Sequence, residues 1–336
     1  MRLKLSVLLA FFAASCDSDI AGLYERVETD SWRQTPTDKV DILWVIDDSN
    51  SMRAEQESLA EGFESFSAEL EATGVDFHIG VITTTFLYDD PNRGVLIATK
   101  GGERFLTNQT KDYVSEFQTL VQVGIEGDGK EKGLEAAAHA LSPSMAAGSN
   151  QGFLREEANL LVVFVSDEDD CSDYGALTDL KNTACYTDRE ALVPVVDFVD
   201  QFNALKTSAD RVLLGAIVGP ANTSSCADAY TGTRYIEAAA ISGGISASIC
   251  EDDWSSVLYD LGLNATGIFT TFQLSHGAQT GTLVVTIDGA VVPEVTNEGD
   301  AGFLYNDDTQ TITFYDPWVP PRDAEIIATY TIKPGT

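Results

Sequence analysis

Three stretches of the chain are almost continuously apolar: residues 40–46 (VDILWVI), 160–165 (LLVVFV) and 211–218 (RVLLGAIV). Runs of this length without alternation fit strands buried on both faces of a parallel sheet. Residues 77–83 read as a further strand, and 94–98 and 245–249 as shorter ones. Between the strands the apolar positions change period. Leu59, Phe63, Phe66 and Leu70 fall at i, i+4, i+7 and i+11, which is one face of a helix over 54–71. Gly74 lies just beyond it, as a stop signal. Residues 133–141 repeat the pattern with Leu134, Ala137, Ala138 and Leu141, and further helices are predicted over 113–121, 195–205, 235–240 and 253–263. Strand and helix thus alternate from residue 40 to about 267. This order predicts a parallel sheet with helices on both faces, and ligands beyond the carboxyl ends of its strands.

The pattern changes after residue 268. Residues 283–287 alternate, run into Asp288-Gly289, and continue as 290–292, which reads as a hairpin. Residues 310–315 and 325–332 are further strands, and no helical period appears. The expected organisation is therefore a segment 1–15 to be removed, a polar tether over 16–38, a large domain over 39–267 and a small antiparallel β domain over 268–336.

The N-terminal expectation rests on Arg2 and Lys4, an apolar run over 5–14, and Ala13-Ala14-Ser15-Cys16. Ten apolar residues are too few to span a bilayer and suit a secretory signal. The small residues before Cys16 resemble a bacterial lipobox. That resemblance implies cleavage before Cys16, lipidation of its thiol, and anchorage to a cell membrane or outer membrane facing the periplasm or exterior. Four cysteines then remain: Cys171, Cys185, Cys226 and Cys250. An even number in an exported chain suggests two disulfides. Three pairings are possible. The sequence-local one, Cys171 with Cys185 and Cys226 with Cys250, closes the shortest loops. The charge by itself names no function and reads equally as surface solvation. With 20 basic and 53 acidic residues the formal net charge is −33, which disfavours nucleic acid and favours cationic partners and divalent metals.

Candidate chemistry concentrates where the first apolar run ends, in Asp47-Asp48-Ser49-Asn50-Ser51-Met52. A carboxylate and two hydroxyls at alternate positions of one short turn can face a single point, and oxygen donors suit a hard cation such as Mg²⁺, with Ca²⁺ or Mn²⁺ as alternatives. Such a turn can equally serve as a helix cap. A second carboxylate, Asp167, ends the run at 160–165 and would open on the same sheet edge. The D-x-S-x-S motif, the strand before it and the later Asp resemble the von Willebrand factor A family and its metal-ion-dependent adhesion site, over residues 39–267. The resemblance implies a doubly wound, mainly parallel α/β sheet. It implies direct metal contact from Ser49 and Ser51, and contact through water from Asp47 and Asp167. The family's remaining ligand is a Thr before a later helix. Residues 127–134 (GDGKEKGL) hold no Thr. Glu131 is the first candidate to replace it and Asp128 the second. Glu168, Asp169 and Asp170 add acids that form either a second cation site or a solvated rim.

His78, His139 and His276 share no metal-ligand spacing, and no nucleophile–base, phosphate-loop or dinucleotide motif occurs. The chain is therefore expected not to be an enzyme. The expected function is a lipid-anchored envelope protein that binds an unidentified protein or matrix partner through a cation. The alternatives are a structural envelope protein with a stabilising metal and, further off, a metal-dependent hydrolase.

Overall fold

The computed structural model describes residues 26–34, 37–177, 184–222, 226 and 229–334. The expected signal segment over 1–15 and the expected lipidation site Cys16 lie outside them. In chain order the elements begin with β1 (Val27–Arg33), β2 (Lys39–Ile46), α1 (Arg53–Thr73), β3 (Asp76–Thr83), β4 (Leu106–Thr107), α2 (Tyr113–Leu120), α3 (Gly133–Ala140) and α4 (Pro143–Ala146). They continue with β5 (Asn159–Ser166), α5 (Ala184–Thr187), α6 (Val195–Asn203), β6 (Val212–Val218), α7 (Thr233–Ser242), β7 (Ser246–Ser248) and α8 (Ser255–Ala265). The remaining strands are β8 (Thr271–Gln273), β9 (Val284–Ile287), β10 (Ala290–Val292), β11 (Glu294–Val295), β12 (Phe303–Asn306), β13 (Thr311–Phe314) and β14 (Glu325–Thr331).

These strands form three sheets, and the doubly wound, mainly parallel α/β class of the von Willebrand factor A resemblance does not describe the molecule. One sheet has six strands in the order β4-β3-β2-β5-β6-β7, parallel except for β4 against β3. The other two have four strands each, β1-β14-β9-β10 and β11-β12-β13-β8, and are antiparallel except for β11 with β12. The fold is thus a mixed one in which more than half the strands lie outside the parallel sheet. The parallel runs dominate the hydrophobic pattern because they are buried on both faces. The other strands are half-exposed and short, and carry a weaker signal.

The strand furthest from expectation is β1, in the stretch read as a tether. It pairs antiparallel with the whole of β14, from Val27 opposite Thr331 to Arg33 opposite Glu325. Its residues alternate between exposed and half-buried, so it offers no apolar run. Trp32 nevertheless packs at a tilt against Phe272, with ring centroids 5.3 Å apart, beside a core built on Val285, Phe303, Ile312, Phe314, Ile326 and Tyr330. The Asp288-Gly289 turn between β9 and β10 has both residues at positive φ, 48° and 82°, the geometry a two-residue hairpin needs. No strand forms over 94–98. Ile97 only donates its amide to Val81 O, and the edge strand of the sheet is β4.

In the six-stranded sheet, alternate residues of β2 feed two cores. Val40, Ile42, Trp44 and Ile46 pack with Phe63, Phe66 and Phe117 on one face; Leu43 and Val45 pack with Leu134, Phe164 and Phe198 on the other. Helix α1 buries the predicted stripe Leu59, Phe63, Phe66 and Leu70, and ends at Gly74 in the left-handed conformation (φ 65°). The result is a rigid strand whose carboxyl end delivers Asp47 to the sheet edge.

Both sequence-local disulfides form, Cys171–Cys185 and Cys226–Cys250. Among the described residues no helix is long and apolar enough to cross a membrane. Because β1 completes the sheet that carries β14, Trp32→Ala is expected to destabilise the protein by about 3 kcal/mol, read as a lower urea midpoint. An unchanged midpoint would show that β1 adds nothing to the β core.

Candidate cation site

The sheet edge at the carboxyl ends of β2, β3 and β5 gathers the motif. Asp47 leaves β2 with its amide bound to Val165 O at 2.9 Å, so the β2 and β5 turns stay in register past the last strand residues. Its side chain has no exposed surface. One carboxylate oxygen accepts the Ser49 amide at 2.7 Å and the other accepts the Ser166 hydroxyl at 2.7 Å. The Ser49 hydroxyl lies 3.2 Å from that of Ser51. Ser51 in turn lies close enough to the Asp167 carboxylate to offset part of its desolvation. Ser51 is exposed and Ser49 buried, so the row of hydroxyls runs from the interior to the surface.

Asp167 is 6% exposed, and its Oδ1 has no hydrogen-bond partner. Its backbone carbonyl accepts the Tyr230 amide at 2.8 Å. Glu131 is 1% exposed. Its Oε2 accepts the Thr84 hydroxyl at 2.6 Å, and its Oε1 is buried without a partner. Asp128, the other candidate replacement for the family Thr, has a different task. Its amide donates to the Thr85 hydroxyl and its carboxylate accepts the Lys130 amide, both at 2.8 Å, and so it shapes its own turn.

Close backbone packing holds this loop. The Gly127 amide donates to Asp48 O at 2.8 Å, and a Cβ on Gly127 would lie 2.4 Å from the Asp48 carboxylate and 2.7 Å from its carbonyl. Only glycine permits that approach. Gln56, on the first turn of α1, spans the same gap by donating to both Asp47 O (3.0 Å) and Gly124 O (2.8 Å). Sequence reading missed Gln56, because it is a polar residue on a helix face that otherwise reads as core. It also missed Thr84 and Thr85, which follow β3 and hold Glu131 and Asp48.

Electrostatics sets this edge apart. Burial raises the Asp47 carboxyl to about 7, with the nearby charge of Asp167 adding to the effect. Burial also raises Glu131, to about 10, reinforced by Asp47, Glu168 and Asp48. Asp48, Asp167 and Glu168 are raised too, chiefly by desolvation. No basic side chain pairs with Asp47, Glu131 or Asp167 among the described residues.

The acids after Glu168 behave differently and form neither a second cation site nor a solvated rim. Asp169 accepts the Arg234 amide at 2.8 Å and pairs with Arg189 at 3.1 Å. Asp170 pairs with Arg234 at 2.9 Å and caps the amide of Leu134 at 3.0 Å. Both are buried.

The donors fit a hard divalent cation, since they are all oxygen, two are hydroxyls, and two carboxylate oxygens are buried without partners. Among the described residues no three His, Cys, Asp or Glu side chains gather as a metal-holding group. A cation here would therefore depend on Ser49 and Ser51 as much as on Asp167, with Asp47 orienting the turn.

No protein-family model matches the chain, and no curated protein matches it. Among solved structures it is similar to the pilus adhesin SpaC from Lactobacillus rhamnosus GG in its open conformation. The identity there is 13%, over 92% of this chain and 42% of that one, with a TM-score of 0.45. It is also similar to proximal thread matrix protein 1 from the mussel byssus, at 12% identity over 74% of this chain and 52% of that one, with a TM-score of 0.40. The chain thus spans about half or less of these proteins. At TM-scores below 0.5 neither likeness establishes a shared fold or function.

Two outcomes follow from the geometry. Gly127→Ala must displace the 127–131 loop from Asp48, and is expected to lower the melting temperature and weaken any cation binding together. The raised carboxyls fix the sign of the pH dependence. The unfolded chain holds these groups at ordinary values, so folding takes up protons. The stability they contribute is fullest below about pH 4 and is lost as pH rises through the folded value of Asp47 and then of Glu131. In EDTA the melting temperature should therefore fall between about pH 5 and about pH 8, and Asp47→Asn should flatten that slope. An equal slope in parent and variant would contradict the assignment.

Proposed function

We propose that this chain is a cation-dependent binding protein of the cell envelope, held there by a lipid on Cys16. A divalent cation at Ser49, Ser51 and Asp167, in a turn organised by Asp47, would form the centre of the surface that captures a protein or matrix partner. Mg²⁺, Ca²⁺ and Mn²⁺ all suit the oxygen donors, and the cation supplies a Lewis-acidic point at an otherwise acidic rim.

One observation carries this reading. A single strand has a buried aspartate at each end, and the two are treated differently. Asp41, at the start of β2, has no exposed surface and is met by Arg155 at 2.8 Å and by Lys206 at 3.3 Å. Asp47, just past its other end, is equally buried but shares its surroundings with Asp167 and Glu131 and no cation from the chain. Buried charge is costly unless paired. An edge that keeps several desolvated carboxylates without a counter-charge is arranged for a cation from solution.

The test is calorimetric titration of the metal-free protein with Mg²⁺ or Ca²⁺, beside capture of the same protein on immobilised envelope extract with and without EDTA. Binding should release protons at neutral pH, because raised carboxyls must ionise to hold the cation. Asp167→Asn and Ser49→Ala should each weaken cation binding at least about tenfold. Partner capture should be lost in EDTA and in both variants. Cation binding that raises the melting temperature while capture is indifferent to EDTA would favour a stabilising metal in a structural protein instead.

A further inference from the structure

We propose that Glu131 supplies an anionic donor to the cation bound at this edge, and that it turns the site toward Ca²⁺ and away from capture of acidic groups. The inference rests on the cation-binding reading above and goes further, to the choice of ion and the class of partner.

Three observations meet at this side chain. Glu131 is 1% exposed, yet one of its carboxylate oxygens has no hydrogen-bond partner while the Thr84 hydroxyl holds the other. A buried, unpaired carboxylate oxygen is costly, and the neighbouring acids Asp47, Glu168 and Asp48 make it more so. Second, its backbone is fixed from the far side. Glu131 O accepts the Cys171 amide at 2.6 Å, the Lys132 amide next to it donates to Thr84 O at 3.1 Å, and Cys171 is itself tied to Cys185. The carboxylate is therefore delivered to one place rather than left to swing. Third, the alternative donor in the same loop, Asp128, already accepts the Lys130 amide.

Ligand charge then decides two properties. With Glu131 and Asp167 both ionised, two negative charges match a divalent ion before the nearby Asp47 is counted. A cation so compensated has little electrostatic reason to take another carboxylate from a partner. The half-buried Asp48 and Glu168 beside it, and a chain charge of −33, add repulsion. The partner group that suits this surface is basic or neutral. Added carboxylate oxygens also favour Ca²⁺, which accepts more of them in looser geometry, over Mg²⁺, which demands a tight octahedron and keeps its waters.

The experiment titrates Ca²⁺ and Mg²⁺ separately into the metal-free parent, Glu131→Gln and Asp167→Asn, and repeats the titrations with a glutamate-rich peptide present. Gln keeps an acceptor for Thr84 and adds no charge, so the EDTA-treated variant should melt no lower than the parent, which excludes a folding defect. The expected result is a parent that prefers Ca²⁺ and ignores the peptide. Glu131→Gln should lose at least about tenfold in Ca²⁺ affinity, lose less for Mg²⁺, and gain peptide binding in Mg²⁺. Equal Ca²⁺ affinity and selectivity in Glu131→Gln and parent, with binding lost in Asp167→Asn, would overturn the role of Glu131 and leave the cation site standing. A parent that binds neither ion would overturn both.

Discussion

The constraint on which the structure turns is the cost of moving carboxylates out of water at the carboxyl edge of the six-stranded sheet. Asp47 and Glu131 are almost wholly enclosed, Asp167 nearly so, and burial is the largest contribution to the raised carboxyl of each. Several other buried acids are spared part of this cost, although burial also raises Asp169 and Asp260. The protein has only 20 basic residues against 53 acids, and several of the basic ones sit beside the acids that are buried. Arg155 and Lys206 neutralise Asp41, Arg234 neutralises Asp170, and Lys132 neutralises Asp173. Packing alone does not explain why Asp47, Asp167 and Glu131 lack this treatment. An apolar or amide side chain at any of the three would remove the penalty. Retaining the acids fits a site whose counter-charge arrives from outside.

Much of the parallel sheet was legible in the sequence, and the physics explains why. Strands buried on both faces must be apolar throughout, so 40–46, 160–165 and 211–218 declare themselves. The stripe Leu59, Phe63, Phe66 and Leu70 likewise fixes α1. The rest was obscured for an equally physical reason. Strand β1 is an edge strand with one face to solvent, and it joins a partner about 300 residues away, Val27 to Thr331. No local pattern encodes such a pairing. The tether expected over 16–38 hid it, although antiparallel strands were expected after residue 268, and with β1 those strands form two further sheets outside the parallel one.

At the site, the motif located Asp47, Ser49 and Ser51 because their spacing is local. Asp167 was legible as a carboxylate ending a buried run. The acidic string that follows was misread because charge in sequence says nothing about pairing in space. Asp169 and Asp170 meet Arg189 and Arg234 from other segments and disappear into the interior. Gln56, Thr84 and Thr85 carried no signal at all, being single polar residues whose importance lies in the carbonyl or carboxylate each happens to reach.

The same long-range ties decide what a cation would have to do on arrival. Four loops distant in sequence are already locked by three backbone hydrogen bonds: Gly127 to Asp48, Cys171 to Glu131, and Tyr230 to Asp167. Each disulfide braces a neighbouring segment, Cys171–Cys185 directly at the second tie and Cys226–Cys250 beside the third. The frame therefore does not depend on the ion for its connectivity. Binding would chiefly relieve repulsion and displace protons within a pre-set pocket, without having to order the loops. That division of labour keeps the ordering entropy out of the binding step. It also means that the affinity of the edge is governed by the charge of its ligands, and so by which acids the chain leaves uncompensated.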